Sequence, residues 1–197
     1  MNDRLEVSLK DGTPVLLRPV QPGDKSRLTS GLMRLSSESR YFRFFIPTPA
    51  LTGEQLRYLT EVDQRHHVAW IALDLSQPAQ PAIGIARYVR SKTEPHVAEA
   101  AFTVIDDFQH KGLGSYLLGI LYLLAQRSGI TVLREIVLPE NRFAAGWFQK
   151  LGGAAKFEQG ICQVDLPVHP DLESLPDLPV SPHFKSLLAE LRQKLHA

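Results

Sequence analysis

The chain has 197 residues, 44% of them hydrophobic and 22% charged, an ordinary globular composition with enough length for one full core. A formal net charge of +1, without runs of like charge, excludes a general case for nucleic acid, and no apolar stretch reaches transmembrane length. The N-terminus, Met1-Asn2-Asp3-Arg4, lacks a signal-peptide core, and the single cysteine, Cys162, excludes an internal disulfide and a cysteine zinc site, so a cytoplasmic location is expected.

Residues 13–19 read as a strand ending at Pro19. Pro22-Gly23-Asp24 then opens a helix with Leu28, Leu32 and Leu35 on one side. Ser36 to Phe45 reads as a short helix stopped before Pro47, and Thr52 to Gln55 fits a capping box that starts another, with Leu56 and Leu59 as its apolar contacts. Val68 to Leu75, Ile83 to Arg90 and Val97 to Ile105 read as successive strands, with a turn over Gln77 to Pro81. A helix stripe of Leu113, Leu117, Leu118, Leu121 and Leu124 follows. Then come a strand over 132–138, a helix over 141–151 stopped by Gly152-Gly153, and a strand around 161–166 holding Cys162 as inert packing. Strands that first meander and then alternate with helices predict an α/β fold, a mixed central sheet with helices on both faces.

From 167 the chain changes character. Pro167, Pro170, Pro176, Pro179 and Pro182 predict an extended surface segment rather than a second domain, so the division is a domain over 1–166 and a tail over 167–197. Phe184 to His196 carries Leu187, Leu188, Leu191 and Leu195 on one face, an amphipathic helix that packs on the domain, on a second subunit, or on a regulatory partner; a monomer and a homodimer both fit.

The most informative stretch is Gln109-His110-Lys111-Gly112-Leu113-Gly114, between the strand ending at Ile105 and the Leu113 helix. Glycines at a helix entry let the backbone approach a ligand, and the first amides of that helix have no internal partner, which favours a phosphate. Ser115, Tyr116 and Leu117 follow Gly114, so the dinucleotide G-x-G-x-x-G is not formed, and no G-K-[ST] of a Walker loop is present. The pattern reads as a pyrophosphate cradle of another kind.

Gln109-x-x-Gly112-x-Gly114 resembles the Q/R-x-x-G-x-G/A signature of the GNAT acetyltransferase superfamily. Pro139-Glu140-Asn141-Arg142-x-Ala144 followed by Lys150-Leu151-Gly152 is similar to the later N-x-x-A and K-x-G block of that superfamily. Leu17-Arg18-Pro19 through Ser39-Arg40-Tyr41-x-Arg43-Phe44-Phe45 resembles the opening of the Pat-type protein lysine acetyltransferase domain. The resemblance spans roughly residues 10–166. It implies a sheet whose two central strands splay apart to admit the pantetheine arm, acetyl-CoA as co-substrate without a metal, and a primary amine as acceptor.

The resemblance also distributes roles. The amides from His110 to Ser115 (Lys111, Gly112, Leu113 and Gly114 between them) would hold the pyrophosphate, with Gln109 closing the loop and the Lys111 side chain either adding charge or simply solvated. Phe102, Thr103 and Val104 would pair with the pantetheine amides, and a bulge near Val104 would expose an amide for the polarised carbonyl. Asn141 would bond the cofactor, cap its helix, or both. Glu99, flanked by Ala98 and Ala100, matches the general base of the family, with partial desolvation expected to raise its pKa; otherwise it is a solvent-facing residue or a partner of Arg87 or Arg90. A lysine amine near pKa 10.4 is almost entirely protonated at neutral pH, which is why a base is needed. Phe148 stands beside the cofactor where many relatives carry a tyrosine that protonates the leaving thiolate, and Tyr116 and Tyr122 lie on the wrong helix to be assumed substitutes, so departure as thiolate and protonation by water or Glu99 stay open. Arg40 to Phe45 would wall the acceptor cleft, with Arg40 and Tyr41 as exposed members and Phe44 and Phe45 divided between wall and core. His66, His67 and His96 lack metal-ligand spacing, and no Ser-His-Asp arrangement can be argued. The expected function is acetyl transfer to a protein lysine; acetylation of a small amine and non-catalytic acyl-CoA sensing are the alternatives. No nucleic acid or membrane partner is expected.

Overall fold

The computed structural model describes residues 3–45 and 50–196. Eight strands form one sheet: β1 (Leu5–Ser8), β2 (Pro14–Pro19), β3 (His67–Asp74), β4 (Ala82–Arg90), β5 (Val97–Val104), β6 (Val132–Val137), β7 (Ala154–Glu158) and β8 (Ile161–Pro167). Six α-helices accompany them among the described residues: α1 (Lys25–Met33), α2 (Ser37–Phe44), α3 (Gly53–Thr60), α4 (Leu113–Arg127), α5 (Arg142–Lys150) and α6 (Ser181–His196). The spatial order is β1-β2-β3-β4-β5-β6-β8-β7. Every neighbouring pair is antiparallel except β5 and β6, which are joined through α4 and run parallel.

Most elements fall where periodicity places them. The expected strand over 13–19 begins at Pro14, and the Thr52–Gln55 capping box is formed, with the Thr52 hydroxyl accepting from the Gln55 amide at 3.1 Å. Ser36 caps α2, and Phe45 ends it in the left-handed region; Pro47 lies outside the described residues. Two strands escape the sequence reading. β1 alternates buried Leu5 and Val7 with exposed neighbours, but four residues give periodicity little to register. β7 has no fully buried residue, because it is the outer edge of the sheet.

The sheet separates two apolar layers. On one side α4 covers β4 and β5, α5 covers β8, and α6 lies behind α4. Gly119 makes the α4–α6 approach close: a Cβ there would lie 2.7 Å from Leu191. On the other side α1 crosses β4 and meets α3, burying Leu28 against Ala69, Ile71 and Leu73. Residues 168–180 run over the first layer. They are tied by the His169 amide donating to Tyr122 Oη at 2.7 Å and by buried Leu175. That hydrogen bond and its burial hold the Tyr122 ring inside the protein, and α6 follows with Leu188, Leu191 and Leu195 inaccessible to solvent.

What positions the site is the end of the β5–β6 ladder. The register runs Val97↔Val132, Ala98↔Leu133, Glu99↔Arg134, Ala100↔Glu135 and stops, although β5 continues to Val104 and β6 to Val137. Beyond Ala100 and Glu135 the two strands diverge into a fork.

Candidate active site

The fork opens into a cleft of about 750 Å³ lined by β5, β6, the loop before α4, and faces of α2 and α5. The Ile105 amide donates to the Ile83 carbonyl and the Ser91 amide to the Val97 carbonyl, so odd-numbered residues of β5 bond to β4. The amides and carbonyls of Phe102 and Val104 therefore face β6, at the level where β6 has turned away. This corrects the expected bulge at Val104. The β4–β5 register is continuous from Gly84↔Val104 to Arg90↔Ala98, and the exposed amides come from the fork instead.

Alternation also sorts the side chains. Ala100, Phe102 and Val104 face α4 and α5, where the Phe102 ring meets Trp147 and Phe148 at centroid distances of 6.0 and 5.7 Å. Glu99, Ala101 and Thr103 face the α1–α3 side. Thr103 reaches a small cavity of about 60 Å³ shared with Arg43, Ile85 and Arg87.

The loop expected to cradle phosphate lies at the mouth of α4. Gly112 caps the helix at φ 92°, a conformation that only glycine adopts without strain, and His110 before it is also left-handed at φ 61°. The Ser115 and Tyr116 amides are engaged by the Gly112 carbonyl, at 3.1 and 3.3 Å, so the Ser115 amide is withdrawn from the expected donor set. Of the expected set, the amides of His110, Lys111, Gly112, Leu113 and Gly114 remain at the loop and helix mouth. The Leu113 side chain is fully buried, packed towards Gly84, and contributes only its backbone. Gln109 closes the loop as expected: its Nε2 donates to the Val104 carbonyl at 3.2 Å and to Ser39 Oγ at 3.3 Å. The His110 ring rests edge-on against Phe143, with centroids 5.2 Å apart.

Lys111 departs from expectation. Its Nζ pairs with Asp11 at 2.9 Å and sits over the Phe108 ring, outside the residues that line the cleft. That pairing, with the Thr13 bonds, holds the exposed Asp11 carboxyl down at about 2. Lys10 lines the cleft in its place, its methylenes 3.6 Å from where a Gly112 Cβ would stand. It comes from the β1–β2 turn, and nothing in the local sequence links it to the loop.

Asn141 accepts from the Ala144 amide at 3.1 Å as the cap of α5 and also lines the cleft. Phe148 is buried, packs with Phe102 and Trp147, and lines the cleft. In α2 the expectation is partly reversed. Phe42, Arg43 and Phe45 line the cleft, Phe44 packs against the main core, and Arg40 and Tyr41 do not reach the opening. Asp106 fixes α2 there, accepting from the Ser36 amide and hydroxyl and from Ser39 Oγ at 2.9, 2.7 and 2.9 Å.

The carboxylates differ most from expectation. Glu99 lines the cleft, but its side chain is exposed, so flanking alanines do not desolvate it. Neither Arg87 nor Arg90 pairs with it: Arg87 bonds His67 Nε2 and the Leu59 carbonyl, and Arg90 bonds the Pro95 and Ser128 carbonyls. The desolvated carboxylate is Glu135, absent from the sequence reading, which is 9% exposed and whose Oε2 is buried with no hydrogen-bond partner among the described residues. Burial raises its pKa well above the usual range; the Arg43 charge opposes this, and the Glu99 charge adds to it. Burial lowers the pKa of Arg43, against the pull of Glu135 and Glu99. A Glu in Val132-Leu133-Arg134-Glu135-Ile136-Val137 occupies a core-facing alternation position, and that was the available signal. No group of three or more metal-ligating side chains occurs among the described residues.

Residues 32–153 match the family model described as the acetyltransferase (GNAT) family. The acetyltransferase Pat of Mycolicibacterium smegmatis is 36% identical over 180 residues, covering 85% of this chain and 52% of its own length. The chain thus spans about half the length of that relative. An acetyltransferase of Pseudomonas aeruginosa is 32% identical over 135 residues, covering 68% of this chain and 72% of its own. The GNAT domain of the S. lividans PAT superposes with a TM-score of 0.76 at 30% identity, over 83% of this chain and 96% of that one. A cAMP-binding acyltransferase from Mycobacterium smegmatis gives 0.61 at 27% identity, over 98% of this chain and 56% of that one.

Proposed function

The chain belongs to the GNAT acetyltransferase family, and we propose that it transfers the acetyl group of acetyl-CoA to a primary amine, in the first place a lysine side chain of a protein. The fork carries this reading. The free amides of Gly112, Leu113 and Gly114 suit a pyrophosphate. From there a pantetheine arm would lie along the Phe102 and Val104 amides as a short added strand. Its reactive end would stop where the ladder resumes, at Ala100 and Glu135.

At that point Glu99 is the general base. Its exposed carboxylate lies on the α2 side of the sheet, open to an incoming amine, and lines the same cleft. The thioester carbonyl would be polarised by a β5 amide on the cleft side. The protein acceptor is favoured by the openness of the α2 wall, where exposed Glu38 and Phe45 line the cleft with Phe42. A small amine would call for a closed pocket.

The test is calorimetric titration with acetyl-CoA against free pantetheine, followed by acetyl transfer to lysine peptides and to polyamines. Binding that requires the nucleotide and pyrophosphate, with transfer to peptides, is expected. Absence of binding at millimolar acetyl-CoA would overturn the reading, and transfer to polyamines alone would replace the protein acceptor by a small one.

A further inference from the structure

Phe148 leaves the reaction without its usual proton donor. A phenyl ring has no proton to give, Tyr122 is buried and outside the cleft lining, and Tyr116 Oη donates to the Ser8 carbonyl. Departure of a thiol from the tetrahedral intermediate is easier when a proton is delivered to sulfur.

Glu135 is the last residue of β6 in the parallel ladder, opposite Ala100, and paired residues of neighbouring strands share a face. Phe102, two residues on from Ala100, touches Phe148. Glu135 therefore belongs to the Phe148 side of the fork, whereas Glu99 belongs to the α2 side. Both line the cleft. The two carboxylates thus bracket, from opposite faces, the place where the arm ends.

Their surroundings are opposite as well. Glu99 is open to solvent, and Glu135 is enclosed with an oxygen that finds no partner. Val164 is its apolar ladder partner on β8, and Phe148 of α5 lines the same cleft; the charged groups that act on it are Arg43 from α2 and Glu99 from β5. An unpartnered buried carboxylate is costly when ionised, and a neutral one keeps its proton. Two carboxyls whose environments separate their proton affinities are suited to opposite roles in one reaction.

We propose that Glu135 is the proton donor to the departing thiol, acting from the vertex of the fork where Phe148 cannot act from α5. The inference rests on the acetyl-transfer reading above. In the step, the neutral amine nitrogen attacks the thioester carbonyl carbon, forming the C–N bond, and its surplus proton passes to the Glu99 carboxylate. The C–S bond then breaks with its electron pair on sulfur, and the Glu135 proton moves to that sulfur. Glu135 regains a proton from water and Glu99 releases one, so amine and thioester give amide and thiol with no net proton change.

The test uses the full chain with acetyl-CoA, thiol release being followed with poly-lysine and spermine as acceptors. Glu135→Gln, which preserves shape, should bind acetyl-CoA normally and lose about 100-fold in kcat, a general-acid contribution. The wild-type rate should fall on the alkaline side as Glu135 ionises, and that limb should vanish in the variant. The deficit should shrink when acetyl-CoA is replaced by an acetyl thioester of a more acidic thiol. Infrared spectroscopy of the wild type should show a protonated carboxyl at pH 7 that alkali removes, a readout that survives if the variant does not fold. Wild-type turnover with an unchanged rate, pH profile and thiol dependence in the variant, or no protonated carboxyl at pH 7, would overturn the inference alone. Wild-type protein that binds acetyl-CoA and releases no thiol with either acceptor would overturn the transfer reading and this one with it.

Discussion

Gln109 Nε2 donates to the Val104 carbonyl at 3.2 Å, joining the loop before α4 to the strand end that it follows. Val104 is a residue of β5 whose carbonyl faces the fork, beyond the end of the β5–β6 ladder at Ala100 and Glu135, and this bond gives that carbonyl a donor. It holds the cradle at a fixed height above the open amides. The same amide group also reaches Ser39, which ties α2 to the same corner. Loop, strand and acceptor wall are thereby set relative to one another by a single side chain.

Glu99→Gln removes the proposed base without altering the cradle. Acetyl-CoA affinity should stay within about twofold while kcat falls by roughly 100- to 10,000-fold, the span general bases contribute. What rate remains should climb with pH, because the amine then deprotonates unaided. Isothermal titration and initial rates between pH 6 and 10 check this, and a wild-type pH profile in the variant would remove Glu99 from the role.

Two glycines should fail in different ways. Gly114 is helical, and an added Cβ would make only ordinary contact with Trp147 at 3.6 Å; Gly112 sits at φ 92°. Gly114→Glu should fold with near-normal Tm and weaken acetyl-CoA by more than tenfold, since a carboxylate meets phosphate. Gly112→Glu should lose both affinity and stability, the left-handed backbone costing about 1–2 kcal/mol for a side-chain-bearing residue. Thermal melts beside calorimetry separate the two.

Lys10 and Lys111 exchange the roles that sequence proximity suggests. Lys10→Ala should weaken acetyl-CoA by roughly three- to tenfold at low salt, an effect that fades as ionic strength rises. Lys111→Ala should change affinity little, because its charge is committed to Asp11. Titrations at two salt concentrations check both, and a larger loss in Lys111→Ala would reverse the assignment.

His67 makes stability depend on pH. Burial first, and then the adjacent Arg87 guanidinium, lower its pKa from 6.5 to about 4. The unfolded chain takes up a proton near 6.5 while the folded one resists until about 4, so the neutral ring's contribution is intact above 6.5 and is lost as pH falls towards 4. Glu135, raised by burial, acts with the opposite sign above its ordinary value of 4.5, so the informative quantity is a difference between proteins. On going from pH 7.5 to pH 5, His67→Gln should lose less Tm than the wild type. An equal loss in both would show that the ring carries no such linkage.

Much of the architecture was legible because it rests on local chemistry. The glycine pair before an apolar helical stripe fixed the cradle, since chain direction and missing helix donors are properties of neighbouring residues. The capping box at Thr52 and the asparagine cap of α5 were legible for the same reason. β1 and β7 were not, being short edges whose burial depends on strands elsewhere. Glu99 was readable as a cleft candidate, but its sequence left partial desolvation and a solvent-facing position both open, and the structure has it exposed. Its flanking alanines describe the strand, but exposure depends on where β6 turns away.

The sequence by itself determined the order of the elements apart from β1 and β7, the glycine loop at the mouth of α4 and a phenyl ring in place of a phenol at Phe148. Each is encoded within a few residues by spacing, conformation or side-chain type. The tertiary structure alone decided which of two carboxyls is desolvated, which lysine faces the cleft, and that the free β5 amides arise from a fork rather than a bulge. Those outcomes depend on neighbours brought in from tens of residues away, and burial and charge pairing are set by that company.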